Sequence, residues 1–452
     1  MSTVARTGWP SSISIVAALL LRLALFNGTS LPAALSRRIE LSTPLTGIRY
    51  LNDGVYIYRS GLNPYEGGNF HHSPLYLLLF SLFPFATSRI SASILFTLSD
   101  YLAAISLRRI WIGRKWQEEA TLKKRNDGRA NVSRRYLLNP YTIASCIAQS
   151  TTSIDNALIL LAVAAAAQGQ SPLTAFFLSL ATHTSLYPIL LLAPLLLLLV
   201  HTGPPGKTSW RDVVGTVFFF AGFFLAETAI TFGLVGDWSW ISWTWGSTLT
   251  VSDLTPNVGL NWYFFTEMFD HFRSFFVGTF QMHIAIYVAP LCIRLHDHPL
   301  LAVTVLGGII SIFKSYPTLG DASLWLGLLG CLPDIWADLR HPLLSVALQL
   351  YSVILLPILH SLWLESGTGN ANFFYAATLV YSLGCGMALV DILGAGLRQQ
   401  AARTMIDEGI LDEGDDGITN QVPAGRSEEI RSTKAILEDH DLVVVQYAGL
   451  GS

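Results

Sequence analysis

Long apolar runs make up most of this chain, and short polar islands interrupt them. Residues 213–235 contain one charged side chain, Glu227, and residues 172–200 contain only His183 as a possible charge. A helix of roughly 20 residues spans a bilayer core, so these runs predict membrane helices. Further candidate spans lie at residues 13–26, 73–106, 136–149, 154–168, 275–293, 300–313, 324–335, 342–363 and 373–397. The pattern predicts an all-α, polytopic membrane helix bundle of about 10 to 12 transmembrane helices, several of them broken or tilted.

Composition agrees with this pattern. Hydrophobic residues are 51% of the chain, charged residues are 13%, and mean hydropathy is +0.46. The net charge of only −3 gives no indication of a nucleic-acid partner. The cysteines at positions 146, 292, 331 and 385 lie in or beside apolar segments without paired spacing, so they are expected to be small core residues and not a disulfide framework or a zinc site.

The distribution of charge predicts the orientation. Residues 108–135 hold ten lysines and arginines against three acids, and the positive-inside rule places such a loop in the cytoplasm. By parity, the loop of residues 27–72 is then lumenal. The transmembrane domain is expected to cover residues 1–397. Residues 398–452 carry eleven acids against five bases, which predicts a largely disordered, acidic cytoplasmic tail.

Residues 252–272 form the most polar island. Unsatisfied polar groups in hydrocarbon cost several kcal/mol, and ionisable side chains there usually face a bundle interior or a wet cavity. If the stretch is one helix, Tyr263, Glu267, Asp270 and His271 fall on one face. A mutually hydrogen-bonded structural cluster of Glu267, Asp270 and His271 is favoured over a metal site, so no metal is predicted.

Two further islands hold candidate site residues. Lys314 and Asp321 flank a break that contains Pro317; they can pair as a structural salt bridge or bind a phosphate, and the sequence favours neither. Asn370 and Asn372 precede the last apolar run. One amide can cap that helix, but two exceed what a cap needs, which favours a ligand or subunit contact.

Histidines also occur in two short connections. His71 and His72 precede an apolar run, and the sequence His296-Asp297-His298 separates two runs. Both groups are expected in solvated loops. Residues 237–262 hold five of the twelve tryptophans, as expected of an aromatic belt at a membrane interface.

Five motifs coincide with the polar islands: SDLTPNxGLxWYFFxEMFxHF, FKSYPTxGD, LNPYTIxSCxAxST, PYxGGxFHxxPL and NxNFFYAxTL. In these motifs the chain resembles the phosphatidylinositol glycan class U family, over roughly residues 13–397. The resemblance implies a subunit of the glycosylphosphatidylinositol (GPI) transamidase of the endoplasmic reticulum membrane. That complex removes a C-terminal hydrophobic signal from a precursor protein and joins the new carboxyl end to the ethanolamine amine of a GPI lipid. The resemblance also implies a membrane fold similar to that of the lipid-linked-sugar (GT-C) glycosyltransferases.

The resemblance further implies a non-catalytic, lipid-holding subunit without a cofactor, because the cysteine nucleophile belongs to a different subunit. The expected partners are the other transamidase subunits, including the cysteine-protease-like catalytic one, the GPI glycolipid and membrane lipids. Amides, carboxylates and a lysine beside apolar surface suit a charged sugar-phosphate head joined to acyl chains. The candidate GPI-lipid residues are Asn370, Asn372, Asp253, Asn257, Asn261, Lys314 and Asp321.

The main alternative is an active GT-C glycosyltransferase that uses a polyprenyl-phosphate sugar donor. Such enzymes need paired acids in the first lumenal loop, whereas Glu40, Asp53 and Glu66 are isolated from one another here. A transporter would suit a broken helix at residues 313–321, but the two halves show no related sequence. A protease is disfavoured because no motif places a nucleophile beside a base.

Overall fold

The structure, a computed structural model, describes residues 11–117, 132–202 and 210–407. Regular structure within these ranges is helical, without a β-strand. The middle of the predicted basic loop, residues 118–131, and the acidic tail from residue 408 lie outside the described residues. The all-α prediction is confirmed for the described part of the chain.

The described residues of the first half form eleven α-helices. They are α1 Ser11–Gly28, α2 Leu31–Leu35, α3 Ile48–Arg59, α4 Pro74–Leu82, α5 Arg89–Gln117, α6 132–137, α7 Pro140–Ile147, α8 Thr152–Ala166, α9 Ser171–Ser185, α10 Leu192–Thr202 and α11 Trp210–Val235, with a 3₁₀ helix at Tyr187–Leu191. The second half contains α12 Ser239–Ile241, a π-helical turn Ser242–Gly246, α13 Ser247–Thr250, α14 Asn261–Thr266, α15 Asp270–Ala285, α16 Val288–Arg294, α17 Pro299–Phe313, α18 Leu319–Leu329, α19 Pro333–Ala337, α20 Pro342–Leu364 and α21 Ala371–Asp407.

Five helical segments in the described ranges are long and apolar enough to cross a membrane: Arg89–Gly113, Asp212–Val235, Asp270–Arg294, Pro342–Leu364 and Ala371–Ala402. Five more apolar helices are shorter: Ile13–Gly28, Thr152–Ala166, Tyr187–Thr202, Pro299–Phe313 and Leu319–Leu329. The run at residues 73–106 forms two helices, because α4 ends at Leu82, just before Pro84. The run at residues 172–200 is broken at Leu186, whose φ is 60°.

Polar side chains start several helices. The Ser73 hydroxyl accepts a hydrogen bond from the Leu75 amide at 3.3 Å at the start of α4. The Asn139 side chain does the same for Tyr141, at 2.9 Å, at the start of α7. Thr318 and Asp321 form a capping box at the start of α18. These caps satisfy backbone groups that would otherwise lack partners, and they fix the loops that precede the helices.

A charged pair lies inside the helical core. The Arg22 Nε donates to Asp100 Oδ2 at 2.9 Å, and both side chains are almost fully buried. The same guanidinium donates to the Leu137 carbonyl at 2.6 Å and to the Thr142 hydroxyl at 3.0 Å. The side chain thereby joins α1 to α5 and to the start of α7. Among the neighbouring helices, α8 contacts both α5 and α9, and α9 also contacts α11.

The described residues divide into two compact units. The first comprises residues up to 333 together with 341–389, and it contains every candidate site residue. The second comprises residues 334–340 together with the chain from 390 onward. In the second unit, Arg398 donates to the Asp338 carbonyl at 2.7 Å, and the Arg340 amide donates to Asp391 at 3.0 Å.

The tryptophans of the predicted aromatic belt differ in exposure. Trp238 is 54% exposed, as an interfacial residue would be. Trp240 and Trp262 are buried. Trp240 stacks on His183 with ring centroids 5.2 Å apart, so its ring packs against α9.

Candidate functional site

Three polar segments that are far apart in sequence meet in one place. The Asp253 amide donates to the Tyr316 hydroxyl at 3.0 Å. The Asn261 side chain donates to the Lys314 carbonyl at 3.3 Å. The Tyr375 hydroxyl donates to the Leu260 carbonyl at 3.1 Å. These contacts bring residues of the segments 253–263, 314–321 and 370–375 into a single cluster, here called the loop cluster.

Lys314 and Asp321 form the salt bridge that the sequence left as one of two possibilities. The Lys314 Nζ lies 2.6 Å from Asp321 Oδ1, and Asp321 Oδ2 accepts hydrogen bonds from the Thr318 amide at 2.7 Å and from its hydroxyl at 3.1 Å. Both residues are buried. This salt bridge therefore stabilises the conformation of the segment 314–321.

A small cavity adjoins this pair. It has a volume of about 30 Å³ and is lined on its polar side by Lys314, Asp321, Asp155 and Asn156. A cavity needs about 10–15 Å³ on this measure to hold one water molecule. The space therefore suits a few water molecules and is too small for a sugar-phosphate head group.

Two of the candidate amides are also buried. Asn257 Oδ1 accepts from the Gly259 amide at 2.7 Å, and its Nδ2 donates to the Thr255 carbonyl at 3.1 Å, so its polar atoms shape a turn. A Cβ on Gly259 would lie 2.6 Å from Pro317 Cδ, which explains why glycine stands there. Asn261 is 2% exposed, and its Oδ1 has no hydrogen-bond partner within the described residues.

The remaining candidates are accessible. Asn370 and Asn372 are exposed at the start of α21. Asn370 Oδ1 accepts a hydrogen bond from the Phe373 amide at 3.2 Å. Asn370 therefore caps α21, the role that the sequence allowed for one of the two amides. Asn372 Oδ1 accepts instead from the Tyr263 hydroxyl, which ties α21 to α14. The two neighbouring amides thus have different local tasks.

Asp253 lies at the partly exposed edge of the loop cluster. Its side chain is 26% exposed. Its Oδ1 accepts hydrogen bonds from the Thr255 amide at 2.8 Å and from the Thr255 hydroxyl at 2.6 Å. Its Oδ2 lies 4.0 Å from His71 Nε2. One carboxylate oxygen therefore fixes the loop, and the other faces a histidine of the first loop.

Aromatic rings support the accessible amides. Trp262 lies 5.9 Å from Tyr375 and 6.0 Å from Phe374, and Tyr263 lies 4.6 Å from Tyr375, all between ring centroids. Trp363 of α20 lies 6.1 Å from Trp262. Such ring pairs fix one another's orientation. The start of α21, with Asn372 bonded to Tyr263, therefore adjoins a group of packed aromatic side chains.

The predicted polar stripe is wrong. α14 ends at Thr266 and α15 begins at Asp270, so Glu267 and His271 do not lie along one helix. Glu267, Asp270 and His271 are all exposed, and His271 stacks on Phe272 with centroids 4.0 Å apart. An interior brace made of these three side chains does not fit their exposed positions.

Exposure of Glu267 gives a direct test. We expect Glu267→Leu to change the free energy of unfolding by no more than about 1 kcal/mol, because Glu267 is exposed and its side chain contacts Tyr263 at the surface. The thermal midpoint of the purified variant measures the change in stability, and size-exclusion chromatography measures how much of the protein is folded. A loss of folded protein comparable to that caused by a buried substitution would restore the bracing role.

The two histidines of the first loop also differ from expectation. His71 and His72 are 5% and 1% exposed and are not solvated. His71 Nδ1 lies 2.7 Å from the Trp243 carbonyl, and His72 Nε2 lies 3.1 Å from the Gly47 carbonyl. Burial lowers the pKa of His72 to about 3, so its imidazole is neutral near pH 7. The pair fastens the loop to the helices; His296, by contrast, is exposed as predicted.

Several residues of the loop cluster were not singled out from the sequence. Tyr316 is buried, and burial raises the pKa of its phenol, which therefore stays protonated. Tyr375 and Tyr316 both lie inside the motifs quoted above, which was the available signal. Glu40, considered from the sequence only as an isolated acid of the first loop, contacts the cluster: its carbonyl accepts the Leu319 amide at 2.9 Å, and its carboxylate lies 3.4 Å from Arg38 Nε.

The described residues contain no group of three or more His, Cys, Asp or Glu side chains that could hold a metal ion. Of the first-loop acids, Glu40 is buried, while Asp53 and Glu66 are exposed. The four cysteines are free; Cys146, Cys331 and Cys385 are buried, and Cys292 is half-buried.

The fold and site define an all-helical membrane protein with a polar loop cluster braced by buried hydrogen bonds. The family model described as GPI transamidase subunit PIG-U matches residues 16–381. The chain belongs to that family.

Individual relatives agree. The chain is 34% identical over 417 residues to the GPI-anchor transamidase component PIGU of Mus musculus, covering 86% of this chain and 94% of the relative. It is 34% identical over 420 residues to the component of the same name of Homo sapiens, with the same coverage. It is 35% identical over 372 residues to the GPI transamidase component GAB1 of Saccharomyces cerevisiae, covering 82% of this chain and 90% of the relative.

Proposed function

We propose that this chain is a non-catalytic subunit of a GPI transamidase and that it holds the GPI lipid at the loop cluster. The family match over residues 16–381 and the names of the relatives support the assignment to the complex. The observation that carries the lipid role is the convergence of three family motifs on one partly exposed cluster. The partners are the other transamidase subunits, among them the cysteine-protease-like catalytic one, and the membrane lipids.

In this proposal the protein is a multi-pass protein of the endoplasmic reticulum membrane. The shorter apolar helices cross the bilayer together with the five long ones, which gives about 10 to 12 crossings in a fold similar to the GT-C membrane fold. Residues 27–72 and the loop cluster lie on the lumenal side. The basic loop of residues 108–135 and the tail of residues 398–452 lie in the cytoplasm.

The candidate lipid residues take two roles. Asn370, Asn372 and Asp253 are accessible and contact the polar head of the lipid. Asn257, Asn261, Lys314 and Asp321 are buried, and they hold the loops that present the first three. This division assigns recognition to exposed amides over aromatic rings, and it assigns rigidity to the salt bridge and the Asn257 turn.

A catalytic role is not part of the proposal. A reactive cysteine sits in an accessible, electropositive site, whereas three of the four cysteines are buried and Cys292 is half-buried. A glycosyltransferase would need acids that act together on a metal-bound phosphate. Glu40 pairs with Arg38 instead, and it is the only one of the three first-loop acids that is buried.

The amides provide the test. We expect the double variant Asn370→Ala/Asn372→Ala to retain about tenfold less GPI lipid in the purified complex, the effect of losing about 1.4 kcal/mol of head-group contact. Loss of the cap and of the hydrogen bond to Tyr263 costs about 2 kcal/mol of stability, which leaves the protein folded. Lipid is measured by mass spectrometry of the complex, and folding by its thermal midpoint.

Glu365→Gln is a matched control, since Glu365 is an exposed polar residue in the loop before α21. Lipid content should be unchanged in this variant. Unchanged lipid in the Asn370→Ala/Asn372→Ala complex would refute the head-group contact. Turnover of a dolichol-linked sugar by the isolated chain, abolished by Asp53→Asn, would instead support the transferase.

A further inference from the structure

Four arginines form an exposed basic patch away from the loop cluster. Arg108 and Arg109 lie on α5, Arg134 and Arg135 lie on α6, and all four side chains are at least partly exposed. Here they are called the arginine patch. Within the described residues, none of the four guanidinium groups has an ion-pair partner. Their positive charge is therefore not neutralised by the described part of the chain.

A hydrogen bond joins the two helices that carry these arginines. The Ser133 hydroxyl donates to the Ala104 carbonyl at 2.8 Å and joins α6 to α5. Arg134 directly follows Ser133, and Arg108 lies one helical turn beyond Ala104. One turn is about 5.4 Å, so all four arginines lie within about one and a half turns of this hydrogen bond, near enough for their long side chains to bind neighbouring anionic groups.

The same face of α5 continues as an apolar stripe. Ile90, Ile94, Leu98, Tyr101 and Leu102 are between 36% and 65% exposed. They precede Arg108 and Arg109 at intervals of three, four and seven residues, which is the spacing of one helix face. On the other side of the helix, the side chains around Leu107 and Ile110 are buried.

The length of this face matches a bilayer. The rise from Ile90 to Arg108 is about 27 Å along an α-helix, and the hydrocarbon core is about 30 Å thick. Acyl chains that lie against the stripe thus bring lipid phosphates to the level of the arginines. Guanidinium groups bind phosphate oxygens in pairs of parallel hydrogen bonds.

We infer that the arginine patch binds the head-group phosphates of anionic phospholipids in the leaflet at that end of α5. The site recognises the negatively charged phosphate together with the acyl chains of the same lipid. The four guanidinium groups that define the patch are donors only, so phosphatidylserine and phosphatidylinositol should be retained about equally. This site is separate from the loop cluster and does not depend on the GPI lipid.

The test uses the purified complex reconstituted in nanodiscs of phosphatidylcholine with a minor fraction of phosphatidylserine or phosphatidylinositol. Anionic lipid retained per protein after a delipidating wash is measured by mass spectrometry. We expect the variant Arg108→Gln/Arg109→Gln/Arg134→Gln/Arg135→Gln to retain at least about fivefold less, since one basic residue near an anionic surface contributes about 1 kcal/mol. Raising the salt concentration should lower retention by the unchanged protein.

Three comparisons make the result decisive. Arg108→Gln/Arg109→Gln removes the charge of one pair and should lose part of the retention, which keeps the test open if the fourfold variant fails to fold. Arg37→Gln/Arg49→Gln removes the same charge from exposed positions of the first loop and should leave retention unchanged. The fourfold Arg→Lys variant keeps the charge and should retain more lipid than the fourfold Gln variant.

Two results would overturn the inference. Equal retention by the unchanged complex and by the fourfold Gln variant would mean that the patch does not hold the lipid. Displacement of the lipid by millimolar inorganic phosphate or by soluble glycerophosphoserine would show a site for free phosphate, in which the acyl chains take no part.

Discussion

Arg22→Met is expected to lower the free energy of unfolding by about 3–5 kcal/mol, the cost of leaving one buried charge without its partner. The substitution removes the ion pair with Asp100 and three further hydrogen bonds, to the Ala18 and Leu137 carbonyls and to the Thr142 hydroxyl. Asp100 is 1% exposed, so water cannot replace the guanidinium. The thermal midpoint and the yield of monodisperse protein in detergent should both fall sharply.

A double variant separates the charge from the packing. Arg22→Met/Asp100→Asn removes both charges, and replacement of a buried pair by apolar or neutral groups of similar volume is often nearly neutral. We expect it to recover most of the loss caused by Arg22→Met. As a control, Arg59→Met removes an exposed arginine whose hydrogen bonds within the described residues go to the Phe80 and Ser81 carbonyls, and it should cost much less. If Arg22→Met proves no worse than Arg59→Met, the pair does not stabilise the core.

The positions of the long helices follow from the sequence because their cause is local. Residues 213–235 contain a single charged side chain, Glu227, and no proline, and they lie in a single helix, α11. The end of α4 at Leu82 agrees with Pro84, which cannot donate a backbone hydrogen bond. Where an apolar run carries its own start and stop signals, the structure agrees with the prediction.

The failed stripe at Glu267 shows where such reasoning ends. Nothing between Thr266 and Asp270 is a glycine or a proline, yet Phe269 has extended backbone and the helix stops. The cause is tertiary: Phe264 packs on Phe280 at 4.9 Å, and Phe265 packs on the same ring at 5.4 Å. These contacts fold α14 against α15, and packing of this kind overrides helix propensity.

The sequence identified the residues of the candidate site but not their arrangement in space. Polar groups at membrane depth require either a ligand or an internal partner, and the sequence does not distinguish the two. Asn257 is satisfied by its own turn, and Asn261 reaches the Lys314 carbonyl 53 positions away. Only the fold shows that these amides are inside and that Asn370 and Asn372 are outside.

Substitution of Lys314 decides between the two roles that the sequence left open for it. Lys314→Met leaves Asp321 buried without its cation, and we expect a loss of about 3–5 kcal/mol in the free energy of unfolding. Asp321 also accepts from the Thr318 amide and hydroxyl, so the segment 314–321 should loosen. Because this segment holds Asn261 and Tyr316, the complex should lose GPI lipid together with stability.

The double variant Lys314→Met/Asp321→Asn removes both charges and keeps an acceptor for Thr318. Coupling energies between contacting residues are about 0.5–3 kcal/mol, so it should be more stable than Lys314→Met alone. If Lys314 only stabilises the loop, the complex with the double variant should also retain its GPI lipid. Mass spectrometry of the complex measures this lipid. A double variant with a normal thermal midpoint and no lipid would mean that Lys314 binds the lipid phosphate, which would move the head group inward from Asn370 and Asn372.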